Sequence, residues 1–380
     1  METKKYRFDE VTINFDKKRI PLSSAQREKR QGTFRYYGAQ GVIDHVDDYI
    51  YDGTYLLIAE DGENLKSKKQ NIAQVVDGQF WVNNHAHIVQ GNEQCDTRFL
   101  CYLINSMDLS GYVTGSAQPK LSQANLNAIT LSLPTLVEQK RIVEYLYMLD
   151  QKIDVNRQIN DNLEQQAQSY FQELFVDNAS PEWTTGTISD LGTVVGGSTP
   201  SKAKPEYYTE SGIAWITPKD LSINKSKFVS HGENDITELG LRNSSASLMP
   251  EGTVLFSSRA PIGYIAIAAG EVTTNQGFKS VVPKPEIGTP FVYFFLKNTL
   301  PVIEGMASGS TFKEVSGSTM KNVPAVIPDA ETLAKFSDFC APIFAQQRIL
   351  EEQNQSLATL RDNLLPKLMS GEIDVSAVQL

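Results

Sequence analysis

Side chains able to do covalent chemistry are few in this sequence, and no spacing gathers them. The four histidines are His45, His85, His87 and His231. His85 and His87 alternate, which places both on one side of a predicted strand. No further ligands flank them, so they read as polar strand residues rather than a metal site. The three cysteines, Cys95, Cys101 and Cys340, form no CxxC pair and no disulfide lattice, which suits a reducing cytoplasm. The chain has no Gly-Lys dipeptide and hence no GxxxxGK phosphate loop. GxGxxG, HExxH and GxSxG are also missing, as are an Asn/Asp-Pro-Pro-aromatic tetrapeptide and a Pro-Asp…Glu-x-Lys cluster. The expectation is a chain without catalytic residues, metal or cofactor of its own.

What remains is the chemistry of recognition. Polar and aromatic groups lie near the ends of predicted strands: Tyr36, Tyr37, Lys66, Lys68, Lys69, Asn84, His85 and Lys120 in the first part of the chain. Lys219, Ser257, Ser258, Arg259, Asn275, Gln276 and Lys313 follow in the later part. Arg and Lys suit guanine edges, and Asn and Gln suit adenine. Ser257-Ser258-Arg259 follows an apolar strand and is expected in a loop.

A net charge of −10 over 380 residues argues, taken alone, against nucleic acid. The charge is unevenly placed, however. Residues 1–131 and 179–328 each carry a net −1, while 132–178 and 329–380 each carry −4. Within residues 1–35 the net is +5, and residues 36–65 hold seven acids with no Lys or Arg. A near-neutral domain with segregated charge can still present a basic face to phosphates.

The elements that would position these groups come in two copies. GSAQPKLS (Gly115–Ser122) and GSTFKEVS (Gly309–Ser316) align at a shift of 194 residues. At that shift Leu126 falls on Met320, Ile129 on Val323 and Pro134 on Pro328. With gaps, Gly53-Thr54 matches Gly252-Thr253, and Asn84-His85 matches Asn275-Gln276. FLCYLIN (Phe99–Asn105) matches VYFFLKN (Val292–Asn298), and FDEV (Phe8–Val11) matches ISDL (Ile188–Leu191). Each copy begins with an irregular, Gly- and Pro-rich part. Short apolar runs such as Phe80–Val89 and Gly263–Ala269 predict strands there. Each copy ends in a long predicted helix. The domains are read as 1–134 and 179–328, the helices as 135–178 and 329–380. No window approaches the ~18 apolar residues of a membrane span, and the N-terminus lacks a signal-peptide core.

Thr135 with Glu138 forms a capping box, and Asp329 can cap the second helix. The apolar seam of the first helix alternates steps of four and three through Ile142, Leu146, Leu149, Ile153, Asn156, Asn160 and Leu163. The matching seam runs through Phe336, Cys340, Ile343, Gln347, Leu350, Asn354, Leu357, Arg361 and Leu364. A long heptad helix cannot bury its stripe alone, so the helices are expected to pair, antiparallel because the second domain spans the return path. Asn160 and Asn354 hold equivalent seam positions that can fix register. The second helix is expected to falter near Pro366 and end at Gly371. The fold expectation is α+β: two β-rich α/β recognition domains separated by two long antiparallel coiled-coil helices, with an internal pseudo-twofold repeat. Two readings fit: a DNA reader, or a non-catalytic protein scaffold carrying two binding modules on a coiled-coil bar.

This arrangement resembles the specificity subunit of type I restriction–modification systems. LVEQKRIVEYLYMLDQKID (Leu136–Asp154) is similar to that family's central repeat. LRDNLLPKLMSGEIDV (Leu360–Val375) is similar to its C-terminal signature, and GSAQPKLS to the end of a target recognition domain. The second helix begins DAETLAKFSDF and lacks the Glu-Gln-x-x-Ile form of the first. The resemblance implies that each domain reads one half of a bipartite, asymmetric site in double-stranded DNA. It implies that the helices set the spacing and dock two modification subunits. Those partners would supply S-adenosylmethionine-dependent adenine methylation, and restriction subunits would supply ATP- and magnesium-dependent translocation and cleavage.

Overall fold

The computed structural model describes residues 2–67, 70–115, 118–309 and 313–373. Lys68 and Lys69 lie outside them, as do parts of the two GSAQ/GSTF motifs and the end of the C-terminal signature. Two compact units result, Met1–Ile153 with Ser356–Leu380, and Asp154–Gln355. The division falls inside both long helices rather than at their ends. The reason is burial: helix residues Ile142, Val143, Leu146 and Leu368 belong to the same apolar core as Phe8, Leu56, Phe99 and Leu131 of the first domain. Among the described residues no helix is long and apolar enough to cross a membrane.

In the first unit a ribbon joins Lys4–Arg7 to Thr130–Leu133, antiparallel. One sheet runs in the order Thr12–Asn14, Ala86–Gly91, Tyr55–Ala59, Ala73–Val76. A second runs Gly41–Val46, Gln31–Gly38, Gln79–Val82, Tyr51–Asp52. The apolar run YLLIA is buried at every position, as a strand covered on both faces must be. The run expected as one element over Phe80–Val89 is two strands. Asn83 folds the chain between them, its Oδ1 accepting from the His85 N–H at 2.8 Å. His85 and His87 therefore do not share a face: His85 is exposed in the turn, and His87 is buried in the next strand.

The second unit repeats this plan. Thr184–Thr187 pairs with Pro324–Ile327. A five-stranded sheet runs Gly192–Gly196, Lys279–Pro283, Val254–Ser258, Ile262–Ala268, Phe228–Val229. A four-stranded sheet holds Tyr208–Thr209, Asn234–Ile236, Ile213–Ile216 and Thr273–Thr274. Equivalent contacts recur, with acceptors 194 positions apart. The Ile129 carbonyl accepts from the Phe8 N–H at 2.9 Å, and the Val323 carbonyl from the Ile188 N–H at 3.0 Å.

The first long helix spans Leu136–Gln172 and closes with a π-helical turn, Glu173–Asp177. Thr135 and Glu138 exchange capping bonds, with Glu138 Oε2 accepting from the Thr135 N–H at 2.9 Å and Thr135 Oγ1 from the Glu138 N–H at 3.4 Å. The second long helix spans Ala330–Ser370, with Asp329 Oδ1 accepting from the Thr332 N–H at 2.8 Å. It does not falter at Pro366. Leu364, Leu365 and Leu368 on either side pack into the first unit's core, which offsets the hydrogen bond a mid-helix proline removes. Gly371, at φ 76°, follows the last helical residue.

Within the first unit Ile142, Leu146 and Ile153 are buried, and Leu149, Leu357 and Leu364 are half-buried. Arg361, at a seam position, donates to Asp150 Oδ1 at 2.7 Å. Within the second unit Phe336, Ile343 and Leu350 are buried, and Asn160, Leu163 and Asn354 half-buried. There Asn156 Nδ2 donates to Asn354 Oδ1 at 3.0 Å, and Gln347 Nε2 donates to the Asn160 carbonyl at 3.1 Å. Asn354 thus meets Asn156, and Asn160 lies against Gln347. A buried ammonium ties the second domain to these helical segments. Lys227 Nζ donates to Glu164 at 2.8 Å and Gln347 at 2.9 Å, and sits 3.4 Å from the Phe344 ring centroid. Burial lowers its pKa to about 8 against the pull of Glu164.

Candidate nucleic-acid interface

Several of the polar groups singled out in the sequence converge on one mouth in each unit. In the first unit the turn after Tyr55–Ala59 carries Glu60 and Asp61, and the turn before Ala86–Gly91 carries Asn84 and His85. The returning segment carries Lys120, bridged by its backbone to Asp61 and Thr114. His85 Nδ1 lies 2.7 Å from Asp61 Oδ2, and Lys120 Nζ lies 3.4 Å from Glu60. Arg19 donates to Glu60 at 3.0 Å and to the Ala86 carbonyl at 2.8 Å. Lys66, exposed nearby in sequence, donates to the Gly115 carbonyl at 2.8 Å.

Beneath this mouth His87 is fixed from both sides, Nδ1 to Asp16 at 2.7 Å and Nε2 to the Leu121 carbonyl at 2.8 Å. Burial opposes charge on both partners. The Asp16 bond and the Leu121 carbonyl outweigh it and raise the His87 pKa, while the His87 bond and the Ile88 N–H hold Asp16 below the usual carboxylate value. The Leu121 contact anchors the residue that follows Lys120.

In the second unit the equivalent turns enclose a groove of about 450 Å³. Lys219, Arg259, Asn275 and Gln276 all line it, together with Thr199, Lys202, Trp215 and Glu233. Trp215 Nε1 donates to the Ser198 carbonyl at 3.0 Å, fixing the indole as a wall. Asn275 Oδ1 accepts from the Gly277 N–H at 2.8 Å, shaping its turn. Gln276 is exposed and bonded to Thr199. Gly197 allows the close approach of the neighbouring strand, since a Cβ there would lie 2.1 Å from the Asn275 carbonyl oxygen. Lys219 pairs with Glu233. Arg259 lies 3.6 Å and Lys279 3.8 Å from the Glu314 carboxylate. Lys313 is exposed beside Glu314. Glu314 is bridged to Arg259 and Ser308 as Lys120 is to Asp61 and Thr114. Each domain therefore puts a cation where the other puts an acid.

Four expected contacts are buried instead. Tyr36 is fully buried, its hydroxyl oxygen accepting from the Leu22 N–H at 2.8 Å, and Tyr37 packs edge-on against Phe80. Both rings supply core volume to a strand whose alternate faces are covered. Ser257 and Ser258 are not in a loop but end the strand Val254–Ser258, with no exposed surface. Ser257 Oγ donates to the Pro261 carbonyl at 2.9 Å and Ser258 Oγ to the Gly277 carbonyl at 3.1 Å. They hold the turns that present Arg259 and Gln276. Sequence reasoning missed Arg19, Glu60, Asp61, Lys202, Glu233, Lys279 and Glu314. Glu314 was open to detection, because the 194-residue shift sets it on Lys120.

The basic stretch of residues 1–35 is not an unopposed basic face. Arg27 pairs with Asp44 at 2.8 Å, Arg30 with Asp47 at 2.8 Å and Arg19 with Glu60 at 3.0 Å. The acids come from the very stretch, 36–65, that the sequence sets apart as acidic.

A chain of two units with a mixed α+β fold matches a known class. Its residues 2–165 and 181–360 match the family model described as the type I restriction modification DNA specificity domain. The chain belongs to that family. It is 38% identical over 191 residues to the type I restriction enzyme MjaIX specificity subunit of Methanocaldococcus jannaschii, covering 48% of this chain and 44% of that one. Against the HindI specificity subunit of Haemophilus influenzae it is 24% identical over 404 residues, covering 85% and 84%. The solved S subunit of a type I restriction-modification system from M. genitalium shares the fold, with a TM-score of 0.58 at 16% identity over 97% of this chain and 96% of that one.

Proposed function

We propose that this chain is the non-catalytic, sequence-specific DNA-recognition subunit of a type I restriction–modification complex. Each domain reads one half of a bipartite, asymmetric site in double-stranded DNA. The two long helices act as an antiparallel coiled-coil pair that sets the spacing between half-sites and docks two modification subunits. Methylation with S-adenosylmethionine, and cleavage with ATP and magnesium, belong to modification and restriction subunits in the cytoplasm. One observation carries this reading: two mouths of the same backbone plan display different side chains. One offers Asn84, His85, Lys120 and Asp61, the other Asn275, Gln276, Glu314 and Arg259. The same scaffold with different edge-reading groups is what two unlike half-sites require.

Salt titration tests it. Binding of the full chain to random-sequence duplex should weaken steeply as salt rises from about 50 to about 200 mM, because phosphate contacts release counterions. Absence of DNA binding, or binding indifferent to salt, would favour a protein scaffold with two binding modules.

A further inference from the structure

Three cations at the second domain's mouth, Lys219, Arg259 and Lys279, face acids. Lys219 is held by Glu233. Glu314 faces both Arg259, at 3.6 Å, and Lys279, at 3.8 Å. The side chains of Arg259 and Glu314 are each more than a third exposed, and those of Lys219 and Glu233 about half exposed. Pairs this wet are weak, so an incoming anion can exchange with the carboxylate at small cost. Lys279 is more deeply set, and burial lowers its pKa while Glu314 opposes that drop. The first domain shows the same habit independently, with Glu60 facing Arg19 and Lys120.

Taking the chain as a DNA reader, we propose that Glu314 and Glu233 are specificity-determining residues of the second domain. Their carboxylates occupy Arg259, Lys279 and Lys219 as built-in competitors for DNA phosphates and base edges. A random duplex offers the cations only an exchange of one anion for another and gains little. A matching half-site adds base-edge acceptors in the right geometry and displaces the carboxylates. Specificity is a difference between two affinities, and these acids act by lowering the wrong one.

The test uses the full chain as parent, E314Q, E233Q, R259A and the R259A/E314Q double variant. E286Q, an exposed acid elsewhere on the same unit, controls for net charge, and thermal melts confirm folding. Random-duplex affinity is measured across the salt range used above. E314Q and E233Q should each bind random DNA about threefold tighter or more, with a salt slope steeper by about one contact. E286Q should stay near the parent, and the E314Q gain should shrink on the R259A background. With the modification partner present, methylation mapping of E314Q should reveal additional sites that depart from the parent's in one half only. Random-DNA binding no tighter than the parent's, an equal gain in E286Q, or an unchanged set of methylated sites would each overturn the proposal while leaving DNA recognition standing. A parent that shows no salt-sensitive DNA binding would overturn both.

Discussion

A single buried ion pair shows how residue chemistry sets the conditions under which the first mouth is held in shape. Asp16 and His87 lie at 2.7 Å with almost no exposure on either side chain. The folded pKa of His87 is raised, so its contribution to stability is complete below its unfolded value of about 6.5 and fades as pH rises through the folded value. That of Asp16 is lowered, so its contribution is present above its unfolded value of about 3.9 and is lost as pH falls through the folded value. The pair is thus worth most between those limits. Removing one partner of a buried pair costs about 3 kcal/mol. His87→Ala should lose about that much in urea unfolding near pH 6 and clearly less near pH 9. An equal loss at both values would mean that His87 contributes packing alone. At the same scale, charge blocks read along the sequence did not reveal charge on the surface. Arg27 and Asp44 are seventeen positions apart yet bonded at 2.8 Å, and only the fold brings them together.

The helical segments are the elements most legible in the sequence, because a heptad period and a cap are local properties. Thr135, Glu138 and Asp329 cap as their spacing predicts, and none of the seam residues Ile142, Leu146, Phe336 or Ile343 is exposed. The polar partners within the seam were not legible, since they depend on the stagger of two segments far apart in the chain. In the second unit Asn156 is fully buried and bonds Asn354. Asn156→Leu should remove the donor to Asn354 Oδ1 and lose about 1 kcal/mol. The double variant Asn156→Leu/Asn354→Leu should regain the parent's stability or exceed it, because an apolar pair replaces a polar one. Thermal melts of the four proteins measure this coupling. Neutral single variants with additive effects would show that the bond does not fix the pairing.

For the whole molecule, the duplication was legible from the 194-residue shift, and with it the two-domain plan. The candidate mouths were legible in part. Asn84, His85, Arg259, Asn275 and Gln276 lie at turns that the strands define, whereas Tyr36, Tyr37, Ser257 and Ser258 were misplaced because burial is not written in residue type. Aromatic and hydroxyl groups near a strand end serve a core or a turn as readily as a ligand. The central claim is that the two mouths read DNA separately, and base readout is local to the domain that enters the groove. Replacing residues 179–328 with the matching domain of a related protein, then mapping methylated sites in cells that carry the modification partner, tests it most directly. The account predicts that one half of the site changes and the other half stays as in the parent. A change in both halves, or in neither, would contradict it.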